Sequence, residues 1–428
     1  MKNTKVIQHF HSVGNGTFKT GSIFNWRDGK QFNWVYDCGS TSPSTLNRIF
    51  RDITMHKGWP GYIDMLVLSH FDDDHVNGVE TLLKHNHVKS LVLPFSEWAQ
   101  SVREISVLGK KGVSSSTALL QLNPLQWLAS RDFDVQVDEV VLVQGGSDRP
   151  SPVSDNFPKD DDPGAFSENY FTFNQRSMPG RTTIKTVQHN HPIYSHKSDL
   201  EFVFYNAEKD FKELGLIVKK GGQWCAKKSG RPLTDVKADI QNTIESISLH
   251  IPSSTMPLGW RKTLKSCYEK HFGQTGKAKN NISLCMYTAP TRNNVSDFLV
   301  IRNSQVQNYP FHPTHLFYPR YPRYPLFPTS RLATLCTGDI TLTSSVIADL
   351  KSHLGLQRWD KIGLIQVPHH GSQHSWKSGN AGLLAPAQFL HCASGSKHHP
   401  HPKVMKDLIG FVVHTADRTN GVSIDYNI

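Results

Sequence analysis

The sequence predicts an α/β layered domain. Strand-like and helix-like segments alternate through the N-terminal part of the chain, and short apolar runs of buried-strand character each end in a polar loop. A chain of 428 residues can also bury a large core without disulfide or metal staples.

Lys5–Ser12 and Thr20–Asn25 read as strands joined by the turn signal Gly14-Asn15-Gly16, and Gln31–Asp37 reads as a third strand ending at Asp37-Cys38-Gly39. Thr45–His56 has helical spacing at Leu46, Ile49, Phe50 and Ile53. Asp64–Ser69 is a buried strand, Val79, Leu82 and Leu83 begin a helix, and Ser90–Pro94 is the next strand. Ser147–Phe166, with its prolines and aspartates, reads as a solvated loop. Asp199–Tyr205 and Ile282–Tyr287 read as strands. Between them, Lys209–Lys279 forms a basic insertion with helical patterns at Ile240–Ile247 and Lys262–His271. Tyr309–Pro328 is too rich in proline for a regular element. Leu332–Cys336, Ile362–Val367, Gln388–Ala393 and Gly421–Tyr426 complete the strands. The expected organisation is a single domain over residues 1–428 with insertions near 147–196, 209–279 and 303–330.

Lys and Arg total 47 against 36 Asp and Glu, a formal net charge of +11, which favours an anionic partner such as nucleic acid. The six cysteines are scattered without a C-x-x-C pair, which fits reduced thiols in a cytoplasmic protein. No apolar run approaches the roughly 18 residues of a membrane span, and the opening segment has no apolar signal core. A membrane channel and a secreted disulfide scaffold are therefore disfavoured.

The 23 histidines are in excess, and they cluster. His70, Asp72, Asp74 and His75 stand at spacing H-x-D-x-D-H between a buried strand and a helix. Two imidazoles and two carboxylates in one tight loop can serve two divalent ions, which at about 3.5–4 Å apart clamp a phosphoryl centre and acidify a bound water. The mixed donors suit Zn or Mn, and the carboxylate content leans toward Mn. The competing reading is an ordinary helix-capping loop. Thr337-Gly338-Asp339, Pro368-His369-His370-Gly371-Ser372 and His398-His399-Pro400-His401-Pro402 are three further polar loops that each follow an apolar strand. His189, His191 and His196 form a looser group with one H-x-H pair. His9, His11, His85, His87, His250, His271, His312 and His315 read as ordinary core or surface residues, and the cysteines suggest no role.

In this order the motifs resemble the metallo-β-lactamase fold, and more narrowly the ComEC-like hydrolase domain of competence and DNA-internalisation proteins. Asp37-Cys38-Gly39 resembles the first motif. The form H-x-D-x-D-H at His70–His75 resembles the second, with Asp72 in place of the more usual histidine. Asn281-Ile282-Ser283-Leu284, Thr337-Gly338-Asp339, His369-His370-Gly371-Ser372, His399-Pro400-His401-Pro402 and Thr415-Ala416-Asp417 resemble the later ones. The likeness covers about half the chain, and the membrane domains of that family are missing from it.

The resemblance implies a four-layer αββα sandwich with two divalent ions at one edge. One would take His70 and Asp72, the other Asp74, His75 and His401, with Asp339 bridging and Asp37 orienting the loop from behind. Asn281 would complete the first site, which is poor in nitrogen ligands and so favours Mn. The attacking group would be a metal-activated hydroxide, with Asp74 as its base or its orienting group. His370 or His369, aided by Ser372, would stabilise charge on the phosphate oxygens.

The expected function is a metal-dependent phosphodiesterase, foremost a nuclease acting on DNA or RNA. Lys219, Lys220, Lys227, Lys228, Arg231, Lys262 and Lys265 would meet phosphates. Arg320, Arg323, Arg331, Tyr318, Tyr321 and Tyr324 would interleave charge with stacking surfaces. A cyclic-nucleotide phosphodiesterase, or an effector or sensor subunit of a defence-type system regulated by a protein partner through the insertions, are the alternatives. A β-lactamase or thioesterase fits least, given the substituted histidine and the H-H-G-S loop.

Overall fold

The computed structural model describes residues 4–27, 29, 31–55, 61–96, 98–108, 114–145, 182–189, 191–195, 199–207, 212, 214–247, 259–273, 283–291, 297–304, 331–386, 388–395 and 398–428. Asn281, His196 and the Tyr-Pro-Arg tract around Arg320 lie outside the described residues.

The chain begins with β1 (Thr4–Phe10), β2 (Phe18–Asn25) and β3 (Gln31–Cys38), followed by α1 (Pro43–Met55) and β4 (Tyr62–Val67). Then come α2 (Asp73–Val76), α3 (Val79–His85), β5 (His87–Pro94), α4 (Trp98–Arg103) and a π turn at Glu104–Leu108. Next are α5 (Ser115–Leu122), α6 (Pro124–Ala129), β6 (Val137–Gln144), β7 (Thr183–Gln188), β8 (Ile193–Tyr194) and β9 (Leu200–Asn206). The basic segment supplies β10 (Ile217–Lys220), β11 (Gln223–Ala226), α7 (Leu233–Ser246) and α8 (Trp260–Phe272). The remainder comprises β12 (Leu284–Pro290), β13 (Asp297–Ser304), β14 (Ala333–Cys336), α9 (Ser344–Trp359), β15 (Ile362–Gln366), α10 (Asn380–Leu384), β16 (Gln388–Cys392), α11 (Pro402–Asp407), β17 (Val412–Ala416) and β18 (Gly421–Asn427).

The strands build two mixed sheets, ordered β13-β18-β1-β2-β3-β4-β5-β6-β7 and β17-β16-β15-β14-β12-β9-β8, and β10 and β11 form a separate hairpin. Strand alternation sends successive side chains to opposite faces. Trp34 and Tyr36 of β3 therefore join Met65, Phe202, Phe204, Met286, Leu364 and Leu390 in a core drawn from both sheets. Val35, between them, faces the other way and meets Leu46, Ile49 and Ile53 of α1. The same helical layer continues through Leu82 and Leu119 and takes in Ile240, Leu264 and Tyr268 from the basic segment. A third cluster packs Tyr205, Tyr287, Leu335 and Ile365 of the second sheet beneath Ile347, Leu350 and Leu354 of α9. Fully burying one such aliphatic or aromatic side chain is worth about 1.5–3 kcal/mol, so these clusters hold the sheets in one relation and fix where their strand ends meet.

The structure adds elements the sequence reading did not name, α4 to α6 and the inner strand β6 between Pro94 and Ser147 and further strands at the sheet edges. Residues 183–188 and 193–194, expected within an insertion, form β7 and β8 and close one edge of each sheet. β13 extends the opposite edge of the first sheet by pairing antiparallel with β18. Edge strands carry weak patterning because one side has no neighbour and a face is partly wet. The sequence of β7, Thr-Ile-Lys-Thr-Val-Gln, is mixed in this way and only Val187 in it is buried.

Candidate metal centre

Four loops that follow strand ends converge. They follow β3 at Asp37, β4 at Ser69–Asp74, β14 at Thr337–Asp339 and β15 at Pro368–Ser372. Asp37, His369 and His370 are three of the four non-glycine residues with positive φ among the described residues, at 54°, 50° and 55°. Backbone of this kind is costly in isolation and persists only where the surroundings impose it, which is typical of functional sites.

Asp37 organises the first loop. Its buried carboxylate accepts the Ser69 amide at 2.6 Å, the Ser69 hydroxyl at 2.7 Å and His75 Nδ1 at 2.8 Å. His75 thus carries a proton on Nδ1, and its Nε2 points at Asp339 Oδ1, 3.3 Å away. His70 Nδ1 lies 2.9 Å from Ser69 Oγ, which has already donated to Asp37 and so accepts from it. That leaves His70 Nε2 as a lone pair, 3.7 Å from Asp339 Oδ2 and 3.8 Å from Asp72 Oδ2. Both Nε2 atoms are buried and make no hydrogen bond.

Asp339 is aimed by its own turn. Ser283 Oγ accepts its amide at 2.9 Å, and Leu284, next along, donates its amide to Ser69 O at 2.7 Å. Gly338 has φ +53°, and a Cβ there would stand 2.6 Å from Ser283 Oγ and 2.8 Å from Ser69 Cβ. Only glycine lets the two loops approach this closely. Gly39 does the same for the first loop, since its Cβ would stand 2.4 Å from the Asp74 carbonyl carbon.

Asp74 Oδ2 lies 3.0 Å from His370 Nε2, while His370 Nδ1 donates to Cys392 O at 2.8 Å. Both partners of His370 are acceptors. The ring satisfies both only by carrying two protons or by sharing a cation with Asp74. His369 Nδ1 lies 3.3 Å from Asp339 Oδ2 and 3.2 Å from Ser375 Oγ. His70, His75 and Asp339 form one triad of ligand atoms, all within 4.8 Å of one another, and Asp74, His75 and His370 form a second.

The electrostatics follow from burial and proximity. Burial opposes ionisation of Asp339, but His369, His70 and His75 outweigh it and hold the carboxyl well below its ordinary range. Burial likewise opposes the charged form of Asp74, and the hydrogen bond from His370 with the charges of His75 and His370 prevails. His75 is pushed well above the ordinary imidazole value, because Asp37 and Asp339 overcome its burial. Burial and then His75 lower His70. Fixed carboxylates around buried imidazoles attract a cation, and a proton fills that role when no metal does.

The other expected site residues lie as follows. Asp72 stands at the N-cap position of α2 but makes no side-chain capping bond, and its carboxylate faces His70. The hydroxyl of Ser372 accepts the His374 amide at 3.3 Å, closing its own loop. His401 is outside both triads and caps α11, its Nδ1 accepting the Lys403 amide at 3.2 Å. The histidine of that segment nearest the centre is His399, with its ring 5.8 Å from His369 and 6.1 Å from His370. His189 Nδ1 accepts the Asn206 amide, and the ring lies against Tyr205 and His353. It belongs to neither triad.

Two contributors were not singled out from sequence. Ser283 sits inside the motif around Asn281 but faces Asp339 itself. Arg261, in the first turn of α8, is influenced first by its own burial and then by the charges of Asp73 and Asp72. The insertion thus brings a cation to the metal-loop side. Nothing in the sequence distinguishes Arg261 from the other basic residues of its segment.

No protein-family model matches the chain, and no curated protein matches it. Among solved structures the chain is similar to the metallo-β-lactamase-fold protein YhfI from Bacillus subtilis. The match has 9% identity, covers 98% of this chain and 100% of that one, and has a TM-score of 0.34. So distant a likeness bears on neither chemistry nor partners. Among the described residues no helix is long and apolar enough to cross a membrane.

Proposed function

We propose that the chain is a metal-dependent phosphodiesterase of the four-layer αββα metallo-β-lactamase type, resembling ComEC-like hydrolases, and that its substrate is DNA or RNA. The observation that carries this reading is the convergence of His70, His75, Asp339, Asp74 and His370 from three separate strand-end loops, one of which holds His369 and His370 at positive φ.

The donor set fits divalent ions. His70 and His75 present buried Nε2 atoms to the Asp339 carboxylate at 3.7 and 3.3 Å, and neither Nε2 makes a hydrogen bond. The pair His370 and Asp74 calls for a shared cation in the same way. His70, His75 and Asp339 would hold one ion, with Asp72 within reach, and Asp74 and His370 would hold the second. His401 caps its helix through Nδ1, which leaves its Nε2 for a metal, and it would join the second ion. Imidazole with several carboxylates suits Mn or Zn. Divalent ions at such a centre supply Lewis acidity toward a phosphoryl oxygen and lower the pKa of water.

The protein's own groups do the rest. Asp37 and Ser69 engage Nδ1 of His75 and His70, so both Nε2 atoms face the centre before substrate arrives. Asp74, held ionised, is the group to accept or orient the proton of the attacking water. His369, beside Asp339 and partly exposed, is the candidate donor to a phosphate oxygen. Ser372 holds the loop that carries both histidines. Lys219, Lys220, Lys227, Lys228, Arg231, Lys262 and Lys265 are all exposed, as a polyanion-binding surface requires.

A cleavage panel of plasmid, single-stranded DNA, RNA and cyclic nucleotides, run with Mn²⁺ and with Zn²⁺, tests the proposal. Cleavage of a polynucleotide by the wild type and its loss in Asp339→Asn is the expected result. Equal activity in that variant, or turnover of cyclic nucleotides alone, overturns it.

A further inference from the structure

We infer that Asp239, Cys267 and His271 form a separate divalent-metal site of zinc type that staples the two helices of the basic insertion. Cys267 and His271 are four residues apart on α8 and so lie one above the other on one face. Asp239 meets them from α7, and the three ligand atoms all lie within 4.8 Å of one another. His271 is fully buried, and its Nε2 is 2.8 Å from Asp239 Oδ2.

The surroundings are organised around this cluster. Ser229 Oγ stands 3.1 Å from His271 Nδ1, placed to hold the tautomer whose Nε2 is a ligand, and the amides of Lys228 and Ser229 both donate to the His271 carbonyl. The hydroxyl of Thr243 donates to the Asp239 carbonyl at 2.9 Å and lies 3.3 Å from Cys267 Sγ, so it can turn to a thiolate when an ion binds. The sulfur and the imidazole nitrogen are donors that zinc prefers and magnesium or calcium avoid, the carboxylate serves either class, and three protein ligands leave one position open.

Lys270 Nζ and Arg231 Nη1 also reach Asp239 Oδ2, at 2.9 and 3.4 Å. Two cations and the His271 imidazole thus converge on one carboxylate oxygen. The Lys270 and Arg231 side chains are 61% and 44% exposed and can turn into water when an ion takes their place. Exposed pairs of this kind are weak, whereas a thiolate–zinc bond is strong.

The two sites separate spectroscopically, because the His/Asp triads contain no sulfur. Titrating the full-length protein with Co²⁺ is expected to give thiolate-to-cobalt charge-transfer absorption in the near ultraviolet. Cys267→Ser should remove that absorption and leave the visible cobalt bands of the other centre. Asp239→Asn, at a partly exposed position, should weaken cobalt binding at this site by more than about tenfold, and Lys270→Ala should tighten it a few-fold. The inference is overturned by absence of charge-transfer absorption in the wild type, by its persistence in Cys267→Ser, by unchanged affinity in Asp239→Asn, or by weaker binding in Lys270→Ala.

Discussion

At the scale of single residues, the centre is defined by groups whose neighbours leave them one task. His75 is the clearest case. Asp37 fixes its Nδ1, Asp339 faces its Nε2, and together they raise its pKa well above the ordinary value of 6.5. A metal must displace the Nε2 proton, so proton and metal compete below the raised pKa. Apparent metal affinity should therefore climb with pH, by roughly tenfold per unit for one released proton, and level off once pH passes that pKa. The sign for folding without metal is the reverse. The raised pKa gives stability that is fully present below 6.5 and lost as pH rises through the folded value. Isothermal titration with Mn²⁺ across the pH range, beside thermal melts of the metal-free protein, measures both, and a pH-independent affinity would refute the competition. Asp339→Asn removes the carboxylate common to His70, His75 and His369. Cleavage should fall roughly a thousandfold, since several kcal/mol of transition-state stabilisation are at stake. Steady-state kinetics on the folded variant measure it.

At the scale of elements, turns and insertions decide what reaches the centre. Gly338→Ala places a methyl at φ +53° against Ser283 and Ser69. It should destabilise the protein by about 1–3 kcal/mol and lower metal content, because the turn that aims Asp339 must move. Denaturant unfolding and elemental analysis test the two parts together. Helix α8 bears on the loop through Arg261, whose guanidinium feels the charges of Asp73 and Asp72. Arg261→Ala should raise KM for a polynucleotide several-fold and leave kcat nearly unchanged, with Arg261→Lys recovering part of the loss. A fall in kcat at constant KM would contradict an anchoring role.

The same elements show how far a sequence can be read. The loop from His70 to His75 was legible because four ligand-type residues fall within one turn region after an apolar run, a pattern that capping does not need. The pair at His369 and His370 was legible for the same reason. Ser283 and Arg261 were missed because nothing in their neighbours reports a partner far away in the chain. The edge strands β7 and β8 were missed because half-wet strands lack a strong alternation.

For the whole molecule, the remaining question is what the net charge of +11 is for. The chemistry of the centre does not need it, since the triads are built from histidine and aspartate. The seven exposed Lys and Arg singled out in the insertion lie on the hairpin and on the helices beside it, on a scaffold whose apolar faces join the same core as Phe71 and Val76 of the metal loop. If the proposed function holds, a cationic surface on the same core as the metal loop is what a polyanionic substrate requires, and a small cyclic nucleotide would gain little from it. If the charge binds a nucleic-acid backbone, each phosphate contact releases counterions and affinity falls with a power of the salt concentration. For six to ten such contacts the loss between about 50 and 200 mM salt is on the order of 10³ to 10⁵. Fluorescence anisotropy with a labelled oligonucleotide and metal-free protein should show that fall. Replacing Lys219, Lys220, Lys227 and Lys228 with glutamine should flatten the slope without altering metal content. A salt-independent affinity, or a slope unmoved by those four changes, would place the substrate contacts elsewhere and leave the insertion to a protein partner.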